Sequence, residues 1–400
     1  MSDVDRLLAA FDSGGLLRPS AEVPNITDLS RAIALLGEAS GVQHNPGSTR
    51  TADLIGPARH LLFVLADGLG MSFIEELPED SFLSAHCAGE LRTVFPSATG
   101  VALTSVATGE WPGRHAVTGW WTHLPDIGTA ATILPFVRRS DGRPLADLGV
   151  TPDRAFPLPS VVRSVKRDSL ALLPDQISGS VYSVYFSGGR ARRGYRSLHE
   201  AVDIALERVR NSDEPTYTYL YTPRVDGAAH RYGTRHPEVR SAILGLDRQL
   251  ERLEAGLAGR GRIVVSADHG FLDAGGGATH QIRASDPLMS WLRVPPSGDA
   301  RVVYLHVRQG ACDRVRHWFR EEFGGRFMLV SLDEAEHLRL FGPDPLSPQT
   351  RERMGDLIAI STGPDVIEYR PPGVAGRIAG EVSHHSGLTP SEMRVPLIIA

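Results

Sequence analysis

The stretches LLFVLADGLG (61–70) and RIVVSADHG (262–270) decide the fold, because each runs an apolar strand directly into an aspartate, Asp67 or Asp268. The second stretch adds His269 at once. Carboxylates and imidazoles at the C-terminal ends of parallel strands are where an open α/β sheet places its chemistry. The two stretches therefore predict a parallel sheet with a functional site at one edge.

The composition is typical of a soluble globular enzyme, and the net charge argues against a protein that binds nucleic acid polymers. The chain has 400 residues, of which 42% are hydrophobic and 22% charged. That length is enough for one large α/β domain, or for a core domain with a second lobe. The formal net charge of −5 leaves no broad basic surface. No nucleic acid polymer is therefore expected as a partner.

The N-terminal sequence and the cysteines indicate a cytoplasmic protein. MSDVDRLLAAFDSGG has acids where a signal peptide has its basic region, and no stretch reaches transmembrane length, so no membrane partner is expected. Cys87 and Cys312 lie in unrelated contexts without metal-ligand spacing. Reduced thiols in the cytoplasm are the plain interpretation.

Strand-like and helix-like segments alternate from residue 61 onward. Helical patterns at 197–209 and 236–258 separate apolar runs. Strand, helix and strand at this spacing mean parallel crossovers. We therefore predict a doubly wound α/β sheet with helices on both faces. The predicted strands are 61–66, 180–186, 217–222 and 262–267.

The chain divides into an extension, a core and an inserted lobe. Residues 1–59 predict a helical N-terminal extension, whereas 60–274 and 381–400 form the catalytic core. Residues 275–380 predict a small inserted α/β lobe, and VPLIIA predicts the last core strand. The lobe pattern is a strand at 298–307, a helix at 311–323, a strand at 326–332 and a helix at 333–341.

Further metal-ligating side chains follow other predicted strands. Asp226 and His230 stand at i and i+4 after the strand YTYLYT, a spacing that brings both to one side of a helical turn. His384 and His385 lie in the polar segment SHHSGL. Each pair by itself also fits a helix surface or a loop. Their joint occurrence with two strand-end aspartates favours a metal centre.

A hydroxyl nucleophile is predicted at the start of a helix. A hydroxyl near Asp and His ligands indicates metal-assisted displacement at phosphorus or sulfur. Such a step needs a hydroxyl that a cation can ionise, at a place where backbone N–H groups also face the phosphate or equivalent group. Thr99, followed by Gly100, meets both conditions. Ser97 is the alternative nucleophile. Its non-catalytic role would be to cap the N-terminus of the helix. Thr104, Ser105 and Thr108 are expected to pack inside the helix.

These blocks together resemble the type I phosphodiesterase/nucleotide pyrophosphatase family of the alkaline phosphatase superfamily. PSATGVALTSVATG is similar to the family's nucleophile motif, and the other blocks stand in the family's order. They are ADG at 66–68, DGAAH at 226–230, ADHG at 267–270 and HSGLTPSEMRVPLI at 385–398. The resemblance covers about 61–270 and the last twenty or so residues, and it implies an alkaline-phosphatase-like fold.

The resemblance also implies two divalent metal ions, most simply Zn²⁺, and a threonine nucleophile. One ion would be held by Asp67, Thr99, Asp268 and His269, and the other by Asp226, His230 and His385. His385 is chosen over His384 because His-x-Gly matches the family's C-terminal block. Thr99 would attack phosphorus in line and form a phosphothreonine intermediate.

The motifs define the substrate less well than they define the type of reaction. Where the nucleotide pyrophosphatases place a phosphate-binding asparagine, this sequence has Gly119 and Trp120, and His115–Ala116 replaces His-Gly. The resemblance implies a small phosphodiester or nucleotide pyrophosphate as substrate. A phosphomonoesterase, a phosphonate hydrolase and a non-catalytic phosphatase-like binding protein are the alternatives. Only Arg114 and Arg224 within the motif blocks could meet the extra charge of a monoester, so diesters are expected.

Overall fold

A computed structural model describes residues 1–274, 278–372 and 380–400. Its strands are β1 His60–Ala66, β2 Cys87–Arg92, β3 Trp121–Leu124, β4 Thr129–Thr132, β5 Val137–Arg138, β6 Asp168–Pro174, β7 Ala191–Tyr195, β8 Thr216–Thr222, β9 Gly261–Ser266, β10 Leu272–Asp273, β11 Thr279–Arg283, β12 Ser297–Gly298, β13 Val302–Leu305, β14 Phe327–Ser331, β15 Leu357–Ser361, β16 Val366–Arg370, β17 Ser383–His384 and β18 Arg394–Ile399.

The helices lie between these strands. They are α1 Asp3–Asp12, α2 Ile26–Leu36, α3 Pro46–Ile55, α4 Met71–Glu75, α5 Phe82–Ala85, α6 Thr99–Thr108, α7 Pro112–His115, α8 Pro152–Ala155, α9 Val181–Phe186, α10 Leu198–Asn211, α11 Arg224–Tyr232, α12 Pro237–Leu257, α13 Leu288–Trp291, α14 Cys312–Phe323, α15 Leu332–His337, α16 Pro348–Arg353 and α17 Pro390–Met393. In the part of the chain that the structure describes, no helix is long and apolar enough to cross a membrane.

The central sheet confirms the predicted α/β fold class. Its strand order is β2-β18-β9-β1-β8-β6-β7. Strand β1 pairs in parallel with β8 and β9, whereas β18 runs antiparallel to β9. The register aligns Leu65 with Ser266 and Ala66 with Thr222. Residues that follow these three strands therefore meet at one edge of the sheet, as the strand-end aspartates predict.

One predicted strand is wrong. Residues 181–186 form the helix α9, and Ser180 caps it by accepting a hydrogen bond from the backbone N–H of Ser183. Tyr182 and Phe186, four residues apart, are both buried, so the aromatic spacing suits a helix as well as a strand. The sheet instead includes β6 and β7, two strands that the periodicity did not single out.

A second sheet has the strand order β14-β15-β13-β12-β3-β4-β5. The strand expected at 298–307 is interrupted, because Gly298 has φ +98° and the chain turns between β12 and β13. The helix α14 and the strand β14 match the expected pattern, while α15 ends at His337, before the predicted end.

This second sheet also includes β3, β4 and β5, three strands from the segment that the sequence assigned to the core. The N-terminal helix α1 packs beside it, since Asp3 accepts a hydrogen bond from the backbone N–H of Leu329 at 3.1 Å. The predicted start of the lobe, residue 275, lies outside the described residues. The division into extension, core and lobe stays a prediction.

Candidate active site

The predicted nucleophile lies at the first turn of a buried helix. All residues of α6 are buried, and Thr99 is its first residue. The first N–H groups of a helix have no partner within the helix and carry its positive dipole end. Thr104 and Thr108 donate hydrogen bonds to carbonyls within the helix, as expected for packing residues. The Thr99 hydroxyl is therefore placed where a phosphate group would be favoured.

Asp67, Asp268 and His269 form a fully buried cluster beside this hydroxyl. His269 Nε2 lies 3.1 Å from Thr99 Oγ1, 3.5 Å from Asp67 Oδ1 and 3.4 Å from Asp268 Oδ2. The three side chains are at most 2% exposed. Strand ends on β1 and β9 and the first turn of α6 thus bring four predicted residues together.

Two carboxylate oxygens of this cluster lack a hydrogen-bond partner among the described residues, namely Asp67 Oδ1 and Asp268 Oδ2. The other oxygens are bonded: Asp67 Oδ2 accepts from the Tyr221 hydroxyl, and Asp268 Oδ1 accepts from the Gly68 N–H at 3.0 Å. A buried carboxylate is costly unless it is paired. The two free oxygens suit a cation placed between them.

Burial makes both aspartates weak acids in the absence of a cation. Burial raises the pKa of Asp268 to about 7. Burial and then the neighbouring carboxylates Asp268 and Asp226 raise the pKa of Asp67 well above its ordinary value. A metal ion bound here would stabilise the ionised forms and offset this cost.

Asp226, His230 and His385 form a second cluster next to the first. Asp226 Oδ1 lies 3.4 Å from His230 Nε2 and 3.9 Å from His385 Nε2. The rings of His269 and His385 stack with centroids 3.6 Å apart, which places the two clusters side by side. Each cluster could hold one metal ion, because its ligand atoms lie within 4.8 Å of one another.

The three histidines of these clusters are protonated on the same ring nitrogen, Nδ1. Each uses Nδ1 to donate to a backbone carbonyl: His269 to Gly270 at 3.1 Å, His230 to Ser383 at 2.9 Å, and His385 to Ser97 at 3.0 Å. The lone pair then belongs to Nε2, the atom that faces the carboxylates, as in metal-binding histidines.

The spacing of the ligand atoms also suits zinc. Tetrahedral ligands bound at about 2.1 Å lie about 3.4 Å apart. The distances from Asp67, Asp268 and Asp226 to their histidine partners include 3.5, 3.4 and 3.4 Å. Both clusters therefore fit a divalent ion with mixed nitrogen and oxygen ligands.

Sequence reasoning missed Glu381, which joins His230 and His384 in a third group of possible ligands. Glu381 Oε2 lies 3.6 Å from His230 Nδ1 and 3.5 Å from His384 Nδ1. Only its i, i+3 spacing to His384 could have drawn attention to it. His384 and His385 are both buried. The segment SHHSGL is therefore not a solvated surface loop, which was the alternative to metal binding.

Ser97, the alternative nucleophile, is engaged elsewhere. Its hydroxyl donates to the Gly387 carbonyl at 2.8 Å. Its own carbonyl accepts hydrogen bonds from the Ser386 N–H at 2.9 Å and from His385 Nδ1. Ser97 thus ties the nucleophile turn to the C-terminal histidine loop.

The residues named from the sequence on the substrate side, and Trp121 beside them, differ in exposure. Arg114 and Arg224 are exposed. His115 is fully buried and its Nε2 bonds the Ser105 hydroxyl at 2.9 Å. Trp121 packs under the Arg139 guanidinium, 3.7 Å from its ring centroid, while Trp120 is half-buried. Packing is therefore the main role of Trp121.

The family pattern that this chain matches is that of a hydrolase of the phosphodiesterase/pyrophosphatase type, and the two clusters are candidate metal sites within it. The chain belongs to the type I phosphodiesterase/nucleotide pyrophosphatase family, whose pattern it matches over residues 164–371. That range contains Asp226, His230, Asp268 and His269. No curated protein sequence matches this chain.

Solved structures share the fold at low sequence identity. Murine ectonucleotide pyrophosphatase/phosphodiesterase 5 has a TM-score of 0.63 and 14% identity, covering 84% of this chain and 87% of that one. An inactive form of it in complex with AMP has a TM-score of 0.61 at the same identity and coverage. Phosphonoacetate hydrolase from Sinorhizobium meliloti, in complex with phosphonoformate, has a TM-score of 0.60 and 18% identity, covering 84% and 89%.

Proposed function

We propose that this protein is a two-metal phosphohydrolase that cleaves a small phosphodiester or nucleotide pyrophosphate through a phosphothreonine intermediate on Thr99. The observation that carries the proposal is the placement of the Thr99 hydroxyl, at a helix start, beside a buried cluster whose Asp67 Oδ1 and Asp268 Oδ2 have no hydrogen-bond partner among the described residues. Structural roles alone give no reason to bury these oxygens.

The proposed ligands are the residues of the two clusters. Asp67, Thr99, Asp268 and His269 would hold one ion, and Asp226, His230 and His385 the other. Zn²⁺ suits this set of imidazole, carboxylate and hydroxyl donors. When bound, such ions act as Lewis acids toward the phosphoryl group and favour the ionised threonine hydroxyl.

The residues of the chain then perform a double displacement. Thr99 Oγ1 attacks phosphorus in line, forming the Oγ1–P bond as the bond from phosphorus to the leaving oxygen breaks. The N–H groups at the start of α6 face the phosphoryl oxygens. Water next cleaves the phosphothreonine ester, which releases the phosphorylated product and restores the hydroxyl.

A small nucleotide-like diester is the proposed substrate class. The AMP complex of the murine protein supports a nucleotide-like ligand on this fold. A monoester carries one more negative charge and generally needs a cationic side chain. Arg114 and Arg224, the two arginines named from the sequence for that role, are exposed. The unpaired thiols Cys87 and Cys312 are consistent with the proposed cytoplasmic location.

A phosphonate hydrolase is the second candidate. Phosphonoacetate hydrolase shares the fold, and Gly119 and Trp120 stand where the pyrophosphatases have a phosphate-binding asparagine. The same nucleophile and ligand set would serve for cleavage of a C–P bond. A non-catalytic binding protein would have no need of the Thr99 hydroxyl.

A substrate screen on zinc-loaded protein tests these candidates. Bis-p-nitrophenyl phosphate, p-nitrophenyl phosphate, a nucleotide pyrophosphate and phosphonoacetate would be compared by kcat/KM. Thr99→Ala should abolish turnover of the preferred substrate, whereas Thr108→Ala, at the far end of the same helix, should retain it. Equal activity in both variants would rule out Thr99 as the nucleophile.

A further inference from the structure

Arg301 and Glu392 form a fully buried ion pair outside the two clusters. Arg301 lies in the turn between β12 and β13, and Glu392 lies in α17. Arg301 Nε donates to Glu392 Oε1 at 2.6 Å and Nη2 donates to Oε2 at 3.2 Å, with both side chains at most 1% exposed. Apolar residues of similar volume often stabilise a fold as well as such a pair does. The contacts that this ion pair imposes on neighbouring residues therefore explain it better than a gain in stability does.

The carboxylate of this pair holds a short loop. Glu392 Oε1 also accepts the Gly387 N–H at 2.8 Å, and Oε2 accepts the Thr389 N–H at 3.2 Å and the Thr389 hydroxyl at 2.6 Å. Five hydrogen bonds thus meet on one buried carboxylate. Three of them come from the segment 387–389, directly after His385.

The loop has a conformation that it would not keep without support. Ser386 has φ +92°, a region that a residue other than glycine occupies only when its surroundings impose it. Its N–H donates to the Ser97 carbonyl at 2.9 Å, and its hydroxyl accepts from the Arg301 N–H at 3.2 Å. A Cβ on Gly387 would lie 2.9 Å from Arg301 Nε and 2.7 Å from Glu392 Oε2.

His385 is oriented through the same contacts. Its Nδ1 donates to the Ser97 carbonyl that also accepts from Ser386, and its Nε2 faces Asp226 at 3.9 Å. If the loop shifted, the bond between His385 and Ser97 would change along with that of Ser386. A chain of hydrogen bonds thus leads from the Arg301 guanidinium, in the turn between β12 and β13, through Glu392 to the loop that carries His385.

We infer that Arg301 is a positioning residue that, through Glu392 and the loop 385–389, holds His385 Nε2 toward the second metal ion. The inference rests on the proposed function, because it needs His385 to be a ligand. Residues that orient a metal ligand typically change metal affinity by about 10–100-fold when they are replaced.

The test is a zinc titration of metal-free full-length protein against a chromophoric chelator. Arg301→Gln should weaken the second zinc ion by about 10–100-fold and leave the first within about threefold. Arg301→Lys keeps the positive charge but not the paired N–H donors of the guanidinium. We therefore expect it to lose less affinity for the second zinc ion than Arg301→Gln does. The lysine variant also serves if the glutamine variant does not fold. Cobalt loading should show an altered absorption spectrum for the second ion only.

Arg353→Gln is the matched control. Arg353 is also a buried arginine, but its guanidinium donates to the carbonyls of Ala116, Ala155 and Arg154. This control should lower the thermal stability without weakening either zinc ion selectively.

Unchanged affinity for both ions in Arg301→Gln, or in Arg301→Lys if the first does not fold, would overturn the inference alone. An equal loss in Arg353→Gln would do the same. A wild-type protein that binds fewer than two zinc ions would overturn the proposed function, and the inference with it.

Discussion

Replacing Asp268 by asparagine is expected to stabilise the metal-free protein near pH 8 while removing a proposed metal ligand. Burial raises the pKa of this carboxyl from 3.8 to about 7. Because one pKa unit corresponds to about 1.36 kcal/mol, keeping the carboxylate ionised in the fold costs on the order of 4 kcal/mol. Asparagine can keep an oxygen that accepts from the N–H groups of Gly68 and His269, and it removes the charge.

The effect has a defined dependence on pH. A carboxyl with a raised pKa in the folded state binds more protons folded than unfolded. Its contribution to stability is therefore fully present below the unfolded value, here 3.8, and is lost as the pH rises through about 7. The advantage of Asp268→Asn should grow from near zero at about pH 4 to on the order of 4 kcal/mol at about pH 8.

Urea unfolding in EDTA, followed by far-UV circular dichroism, measures this difference in the free energy of unfolding. The control is Asp247→Asn, which replaces a buried aspartate outside the clusters whose carboxylate accepts from the Leu83 N–H at 2.8 Å. That control should be no more stable than wild type, because it weakens a hydrogen bond from a backbone N–H to a charged acceptor. If Asp268→Asn were less stable than wild type at about pH 8 without metal, the ionised Asp268 carboxylate would not be a cost to the metal-free fold. The argument that its charge serves to bind a cation would then be refuted.

Four further predictions concern activity and acid stability. Thr99→Ala should lower kcat by about a thousandfold or more with the fold intact, and Thr99→Ser should keep part of it. A chelator should abolish hydrolysis, and zinc or manganese should restore it. Between about pH 6.5 and about pH 4 the wild type should lose more stability than His115→Gln, because burial lowers the pKa of His115 to about 3 and protons bind the unfolded chain first. Burial likewise lowers the pKa of His306 to about 3 and of His123 to about 4. The kcat/KM for bis-p-nitrophenyl phosphate should exceed that for p-nitrophenyl phosphate, and Arg224→Ala should leave this order unchanged.

Each of these has a result that would count against it. A mild Thr99→Ala effect beside an inactive Ser97→Ala would mean that the motif is misaligned. Full activity in verified metal-free protein would exclude the metal mechanism. A wild type that loses no more stability than His115→Gln between about pH 7 and about pH 4 would contradict a neutral buried His115. A higher kcat/KM for the monoester, lost in Arg224→Ala, would favour a phosphomonoesterase.

Features carried by short runs of sequence could be predicted from those runs. The apolar strands at 61–66 and 262–267, and the aspartates that end them, need only local hydrophobicity and the rule that parallel strands share an edge. The i, i+4 pair Asp226 and His230 depends on one helical turn. The order of such blocks, matched to a family, was enough to name the residues of both clusters.

Other features required the tertiary structure. The segment 180–186 fits a strand or a helix by its pattern, and its place outside the sheet decides for a helix. The strands β3–β5 join a sheet formed mainly by later residues, a pairing without a local signal. Arg301 and Glu392 are 91 positions apart, and a charged residue in a sequence indicates neither its burial nor its partner. Hydrophobic periodicity is local, whereas ion pairing and ligand geometry depend on contacts between distant segments. The sequence could therefore name candidate residues, and only the fold shows which of them lie together.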